Sequence, residues 1–392
     1  LRLAIGGFYL DGEDDSFFVS ANQPVLSATN LTPLDITSNS SGPLTSFFPL
    51  IPGEFANLVI GNDKVTTEVY ALFGELGIAF NGGRTRFSAE GRYTSEEISS
   101  DTLAASETFN FFTPRVTLEH DMSDDMLIYA SVARGVKAGG FNGAVVGGNT
   151  SPVFTFDEET NWTYEIGSKN TILGGRGTLN LAAFYTDWTD QQVNAADPNG
   201  SIISTSITRN LGDTRVWGVE MEGAIDLTEN LSVDLSGSYT DAQFRDGTVD
   251  QVFARFGGPN TAPPCDDLVC NSNGDIGGNE LPRAPKFQAA LGVQYSRDIN
   301  QDTDFYIRAD GSYQSRSFAD TVNVAVIGDR FLANSRLGLN YRNFGLSIWG
   351  RNIFDKRYVS NSTQIIQRSG DNILSRNFGD RRTIGATVSV RY

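Results

Sequence analysis

The stretch Arg381–Tyr392 reads RRTIGATVSVRY and alternates without a break. Ile384, Ala386, Val388, Val390 and Tyr392 fall on one side, while Thr383, Gly385, Thr387, Ser389 and Arg391 fall on the other. A period of two is the spacing of a pleated strand, so this segment is a strand with one apolar and one polar face. The fold depends on whether that apolar face meets a protein core or lipid.

Working back from it, the same alternation recurs in hairpins. Val65 to Phe80 and Arg84 to Ile98 flank the turn Asn81-Gly82-Gly83, whose glycines suit a tight hairpin. Phe109 to Glu119 pairs with Met126 to Val136, Thr155 to Lys169 with Thr178 to Val193, and Ile202 to Ile225 with Leu231 to Phe244. Lys286 to Arg297 pairs with Asp304 to Phe318, and Phe331 to Tyr341 with Phe344 to Phe354. With Leu1 to Leu10 and the closing strand this makes about fourteen strands, too many for an ordinary open sheet and suited to a barrel.

Connections alternate between short and long. The short set is Asn81 to Gly83, Asp121 to Asp125, the glycines near Gly174, Asp226 to Asn230, Asp298 to Thr303 and Arg342-Asn343. The long set covers residues 11–64, 139–154, 245–285, 319–330 and 359–378. Short turns at one rim and long loops at the other are the asymmetry of an outer-membrane barrel. A soluble sheet this wide would need a second covering layer, and the sequence carries almost no amphipathic helix to supply one. The expected class is therefore all-β, a transmembrane antiparallel up-and-down β-barrel, with residues 1–392 as one barrel domain.

Composition agrees: the 41 glycines and 11% aromatic residues suit strands and tight turns. A net charge of −17 argues against a nucleic-acid partner. Half-apolar strands need no long hydrophobic run to cross a membrane. Because the chain opens on Leu1 directly in a strand, it reads as part of a longer polypeptide.

The segment Leu346 to Tyr358, LSIWGRNIFDKRY, and the terminal FGDRRTIGATVSVRY together resemble the C-terminal signature of TonB-dependent outer-membrane receptors, carried here by Asn352, Phe354, Asp355, Tyr358 and Tyr392. Ile128 to Asn142 and Phe156 to Gly167 are similar to the family's mid-barrel pattern. The resemblance implies a barrel of roughly 22 strands with a plug inside, of which this chain would hold the C-terminal portion without the plug. It further implies a Gram-negative outer-membrane location, a lipid surround and a TonB-type energy-transducing complex acting through the plug. The implied activity is active import of an extracellular small molecule, by default a ferric siderophore, with carbohydrate and cobalamin as other ligands. Two rival readings are a passive porin-like channel and a β-rich surface adhesin.

Candidate contacts follow from position. Phe141, Phe253, Phe256 and Phe318 sit on long loops, where an incoming ligand arrives first. Arg308 and Arg351, with Asp310 and Arg336, project into the lumen, where they contact ligand or neutralise one another. Tyr9, Tyr70, Tyr93, Tyr129, Tyr239 and Trp349 are expected in the interfacial girdles. Ligand binding is expected to order the long loops.

Cys265 and Cys270 read as a local disulfide of an oxidising compartment. Asn271 to Asp275 looks like half of a calcium loop, but its glycine is misplaced and Glu280 comes too early. His120 is the only histidine and stands at a turn, the acid pairs Asp124-Asp125 and Glu158-Glu159 are unremarkable in so acidic a chain, and no nucleophile or phosphate-loop motif occurs. The sequence points to no enzyme and to no cofactor.

Overall fold

The computed structural model describes residues 1–21, 58–101, 103–142, 155–196, 206–250, 274–366 and 372–391. In chain order the strands begin with β1 (Arg2–Ala21), β2 (Leu58–Phe80), β3 (Thr85–Ser100), β4 (Ala105–Ser123), β5 (Met126–Lys137), β6 (Gly140–Phe141) and β7 (Thr155–Phe156). They continue with β8 (Glu159–Ile172), β9 (Gly177–Ala196), β10 (Ser206–Thr228), β11 (Leu231–Phe244), β12 (Phe287–Asn300) and β13 (Thr303–Gln314). The last are β14 (Ser317–Phe318), β15 (Val326–Ile327), β16 (Arg330–Tyr341), β17 (Phe344–Arg351), β18 (Val359–Ile366), β19 (Asn372–Phe378) and β20 (Thr383–Val390).

Fourteen of these form one antiparallel sheet in the order β1-β2-β3-β4-β5-β8-β9-β10-β11-β12-β13-β16-β17-β20. The other six pair as three small ribbons: β6 with β7, β14 with β15, and β18 with β19. Each strand of the large sheet lies beside its neighbour in sequence, the up-and-down topology expected. Strands β1 and β20 end the sheet and are not paired with each other among the described residues.

Register separates the two faces. Leu231, Val233, Leu235, Gly237 and Tyr239 lie opposite Tyr295, Val293, Leu291, Ala289 and Phe287, so the apolar sets of adjacent strands coincide. Apolar side chains on that face stand open: Leu72 and Ile166 are each 63% exposed and Ile348 55%. A water-soluble sheet would cover so continuous a patch, whereas a transmembrane barrel wears such a band on its outside. The aromatic stack of Trp217, Tyr239 and Phe287, with centroids 5.3 and 4.9 Å apart, marks one edge of the band. Tyr295 and Phe305, 6.0 Å apart, mark the edge near the short turns. From Phe287 to Tyr295 the strand advances about 27 Å at ~3.4 Å per residue, which at the usual tilt of about 35–45° covers roughly 19–22 Å of an apolar band about 25 Å tall.

The short turns show why their sequences are glycine-rich. Asn81, Gly82 and Gly83 have φ of 56°, 68° and 89°, and Leu173, Gly174 and Gly175 have 55°, 67° and 90°. Three successive left-handed residues are tolerable only where most lack a Cβ.

Three expectations need correction. The connection over residues 11–64 is shorter, because β1 runs to Ala21 and β2 starts at Leu58; β1 is paired along its whole length, from Arg2 opposite Gly77 to Ala21 opposite Leu58. The stretch 359–378 is largely a ribbon, β18 against β19. Tyr129 and Trp349 do not join the girdles. Both face the lumen, since Tyr129 donates to Glu165 at 2.6 Å and Trp349 lies opposite Gly385 and donates to Thr387 at 3.2 Å. Tyr9, Tyr70, Tyr93 and Tyr239 are on the apolar face.

Candidate functional site

The lumen face is charged, and most of its charges answer one another. Arg308 sits between two acids: its Nη1 and Nη2 donate to Asp234 at 2.9 and 3.0 Å and its Nε to Asp310 at 2.8 Å. Arg86 is held likewise by Glu119 at 2.9 Å and by both oxygens of Asp121 at 2.6 and 2.8 Å. Such forked pairs brace adjacent strands and leave little free charge for a ligand. Arg308 is thus fully engaged with the wall. Arg351 is not: its guanidinium lies 5.2 Å from the Trp349 ring centroid, and with Tyr306, Arg308 and Arg336 these residues line a cavity of about 450 Å³.

At the long-loop rim the sheet bears a second small core. Phe244 and Ala242, on the lumen side of β11, pack with Leu211, Ile276 and Leu281, and Val193, Val216, Ala284 and Val322 flank them. Segments 245–250, 274–286 and 317–327 therefore fold against the inner face of the wall. The same segments carry a buried ion pair: Arg209 of β10 donates to Asp250, whose other oxygen accepts from Thr321 at 2.9 Å. Arg209 is 9% exposed and Asp250 2%.

Neutral hydrogen bonds continue the joint. Asp250 N donates to Gly274 O at 2.8 Å and Ile276 N to Thr248 O at 2.9 Å. Asn279 Nδ2 donates to Thr321 O at 3.0 Å, and Glu280 N to Asn323 Oδ1 at 2.7 Å. Asn142 exchanges two bonds of 2.7 Å with the Thr208 backbone, which ties the segment before β7 to β10. In the 320–325 turn Asp320 accepts from Val324 N and Ala325 N, each at 3.0 Å, while burial raises the pKa of its carboxyl.

Of the loop aromatics, Phe141 is half-buried in the β6–β7 ribbon. Phe318 is 7% exposed, with the Arg316 guanidinium 5.0 Å from its ring centroid, so it anchors β14 rather than standing open at the rim. Phe253, Phe256, Cys265, Cys270, Asn271 and Tyr392 lie outside the described residues. Among the described residues no group of three or more His, Cys, Asp or Glu could hold a metal ion. Asp275 instead accepts from Gly277 N at 2.8 Å, and Glu280 pairs with Lys286 at 3.3 Å. His120 Nδ1 is hydrogen-bonded to Thr85 Oγ1 at 2.9 Å.

The C-terminal signature is a knot. Asn352 is buried with φ of 47°; its Nδ2 donates to Lys356 O and Asp380 O, both at 2.9 Å, and its Oδ1 accepts from Lys356 N at 2.9 Å. Asp355 then grips Arg381, and Tyr358 stacks 5.2 Å from the Arg330 guanidinium. Phe354 is 70% exposed. Arg209, Asp250 and Thr321 escaped the sequence reading, because nothing in their local patterns marks them.

Residues 9–353 match the family described as TonB dependent receptor-like, beta-barrel. The ferrichrome outer membrane transporter/phage receptor of Escherichia coli (strain K12) is 24% identical over 204 residues, covering 50% of this chain and 22% of that protein. The ferric yersiniabactin uptake receptor of Yersinia pestis superposes with a TM-score of 0.67 at 19% identity, covering 86% of this chain and 48% of that one. The siderophore receptor of Acinetobacter baumannii gives a TM-score of 0.65 at 18% identity, with 99% and 53% covered. The chain thus spans only 22% to 53% of the length of these relatives. The two structural likenesses establish the fold, and the match over residues 9–353 establishes the family: the chain belongs to the TonB-dependent receptors, as part of their outer-membrane β-barrel.

Proposed function

We propose that this chain forms the C-terminal part of the barrel of an active importer that captures a scarce iron chelate, a ferric siderophore, outside the cell and passes it across the outer membrane. The observation that carries this reading is the family match along residues 9–353, supported by relatives named for ferrichrome and ferric yersiniabactin. The wall supplies its own part. Some lumen charges, as at Arg308, are neutralised by acids of the wall itself, while Arg351 and Arg336 border a cavity where an anionic chelate can meet them. Energy would arrive through a TonB-type complex acting on a plug, and the lipid band holds the wall in place.

The test is uptake of radioactive iron supplied as a panel of ferric siderophores to cells carrying or lacking the full-length gene, with and without the energy-transducing complex. Uptake that requires both supports the reading. Accumulation that continues without the complex would instead mark a passive channel.

A further inference from the structure

Two connections and a wall strand meet at the buried Arg209–Asp250 pair. Asp250 lies just beyond β11, Thr321 lies between β14 and β15, and Arg209 belongs to the wall strand β10. The pair is withdrawn from solvent, Arg209 at 9% and Asp250 at 2% exposure, and Arg209 Nε is buried without a hydrogen-bond partner. Burying two charges is expensive, and the cost is recovered only while the partners stay together. Either charge left alone in this place is strongly disfavoured. An exposed surface pair would hold nothing; a buried one behaves as a two-state fastening.

We propose that the Arg209–Asp250–Thr321 centre is a latch that keeps segments 245–250, 274–281 and 319–325 docked on the inner face of the barrel mouth before any ligand arrives. This side of the mouth is then a preformed wall of the binding site, and ligand-driven ordering is confined to other parts of the rim. The geometry supports this in two ways. The segments are already joined to one another by backbone bonds such as Ile276 N to Thr248 O and by Asn279 to Thr321, and their apolar side chains are already buried against β10 and β11. A site built in advance loses less conformational entropy when it binds. The functional consequence rests on the import reading above, but the latch itself does not.

The experiment is amide hydrogen exchange on the purified full-length receptor in detergent, without ligand. In the unaltered protein, amides of 245–250 and 274–281 should exchange far more slowly than unstructured chain. Asp250→Ala leaves Arg209 buried and unpaired, so exchange in the three segments should rise by at least about tenfold while amides of β12 and β13 stay unchanged. The double variant Arg209→Met/Asp250→Leu replaces the pair by apolar side chains and should return the segments to slow exchange. Should Asp250→Ala fail to assemble, Thr321→Val removes a single bond and should speed exchange at 319–325 alone. Coil-like exchange in the unaltered receptor overturns the proposal, as does slow exchange at 319–325 in Thr321→Val. None of these readouts involves uptake, so the latch and the import reading can fail separately.

Discussion

Asp355 and Arg381, 26 residues apart, form a forked ion pair: Arg381 Nε donates to Asp355 Oδ1 at 2.8 Å and its Nη2 to the other oxygen, while Arg382 N adds a third bond at 3.0 Å. The pair closes the base of the β18–β19 ribbon and aims β20 at β17. The guanidinium, followed by the Arg382 amide, holds the Asp355 carboxyl well below the usual carboxylate range. A carboxylate with a depressed folded pKa adds stability that is present above its unfolded pKa and fades as pH falls through the folded one. The pair should therefore survive acidification that protonates ordinary surface carboxylates. Carbon-13 titration of the Asp355 carboxyl in the full-length receptor should show a midpoint below that of a free aspartate; a normal or raised midpoint would contradict the forked pair.

The lipid face carries a second expectation. Leu291 lies halfway between Phe287 and Tyr295 on the apolar side of β12, so Leu291→Arg puts a cation near the middle of the bilayer. The cost should be about 2–4 kcal/mol in folding free energy. Ser312→Arg, on the lumen side of β13, should cost less than about 1 kcal/mol, because the new charge meets water. Urea unfolding from lipid vesicles measures both. A larger cost at Ser312 than at Leu291 would mean that the two faces have been assigned the wrong way round, and equal costs would mean that both meet the same medium.

How far the sequence carried these features depended on whether a pattern was local. Alternation placed Leu231–Tyr239 and Phe287–Tyr295 on one face, and the register confirms it, because a strand's side-chain period is fixed by its backbone. The same rule held the answer for Trp349 and Tyr129. Leu346 and Ile348 point to lipid, so Trp349 points inward, and Ile128 and Ala130 fix Tyr129 in the same way. Residue type outweighed parity in the girdle assignment, and parity was the better guide. The latch had no such signal. Arg209 and Asp250 are 41 positions apart, and Asp250 and Thr321 are 71, and nothing in an acidic chain distinguishes one aspartate from the rest. Loops meet through tertiary packing, which leaves no period behind.

The signature residue Asn352 makes a sharper test. It is 6% exposed, adopts φ of 47°, and uses its side chain to satisfy Lys356 and Asp380 backbone groups. Asn352→Ala loses all of these bonds and keeps a Cβ in a left-handed conformation, so a loss of about 2–4 kcal/mol is expected. Asn352→Gly loses the same bonds without the conformational cost and should lie about 1 kcal/mol closer to the unaltered protein. Urea midpoints of the three full-length proteins order them. If alanine and glycine coincide, backbone strain has no part in the energetics of this turn.

Two glycines of the wall separate rigid from yielding neighbours. A Cβ at Gly218 in β10 would lie 2.4 Å from the backbone oxygen of Tyr239 and 2.8 Å from the Phe184 ring. The oxygen belongs to the sheet and cannot swing aside, so β10 and β11 must part. A Cβ at Gly338 in β16 would lie 2.2 Å from Tyr306, a shorter distance but to a side-chain ring that borders the 450 Å³ cavity. That ring can rotate into open space. Gly218→Ala should therefore cost about 1–3 kcal/mol, in the range of overpacked cores, and Gly338→Ala less than about 1 kcal/mol. The Gly338 variant should also move Tyr306 toward Trp349, which tryptophan fluorescence compared with a Trp349→Phe background will show. Equal destabilisation by the two alanines would mean that the cavity beside Tyr306 is not open in the assembled receptor.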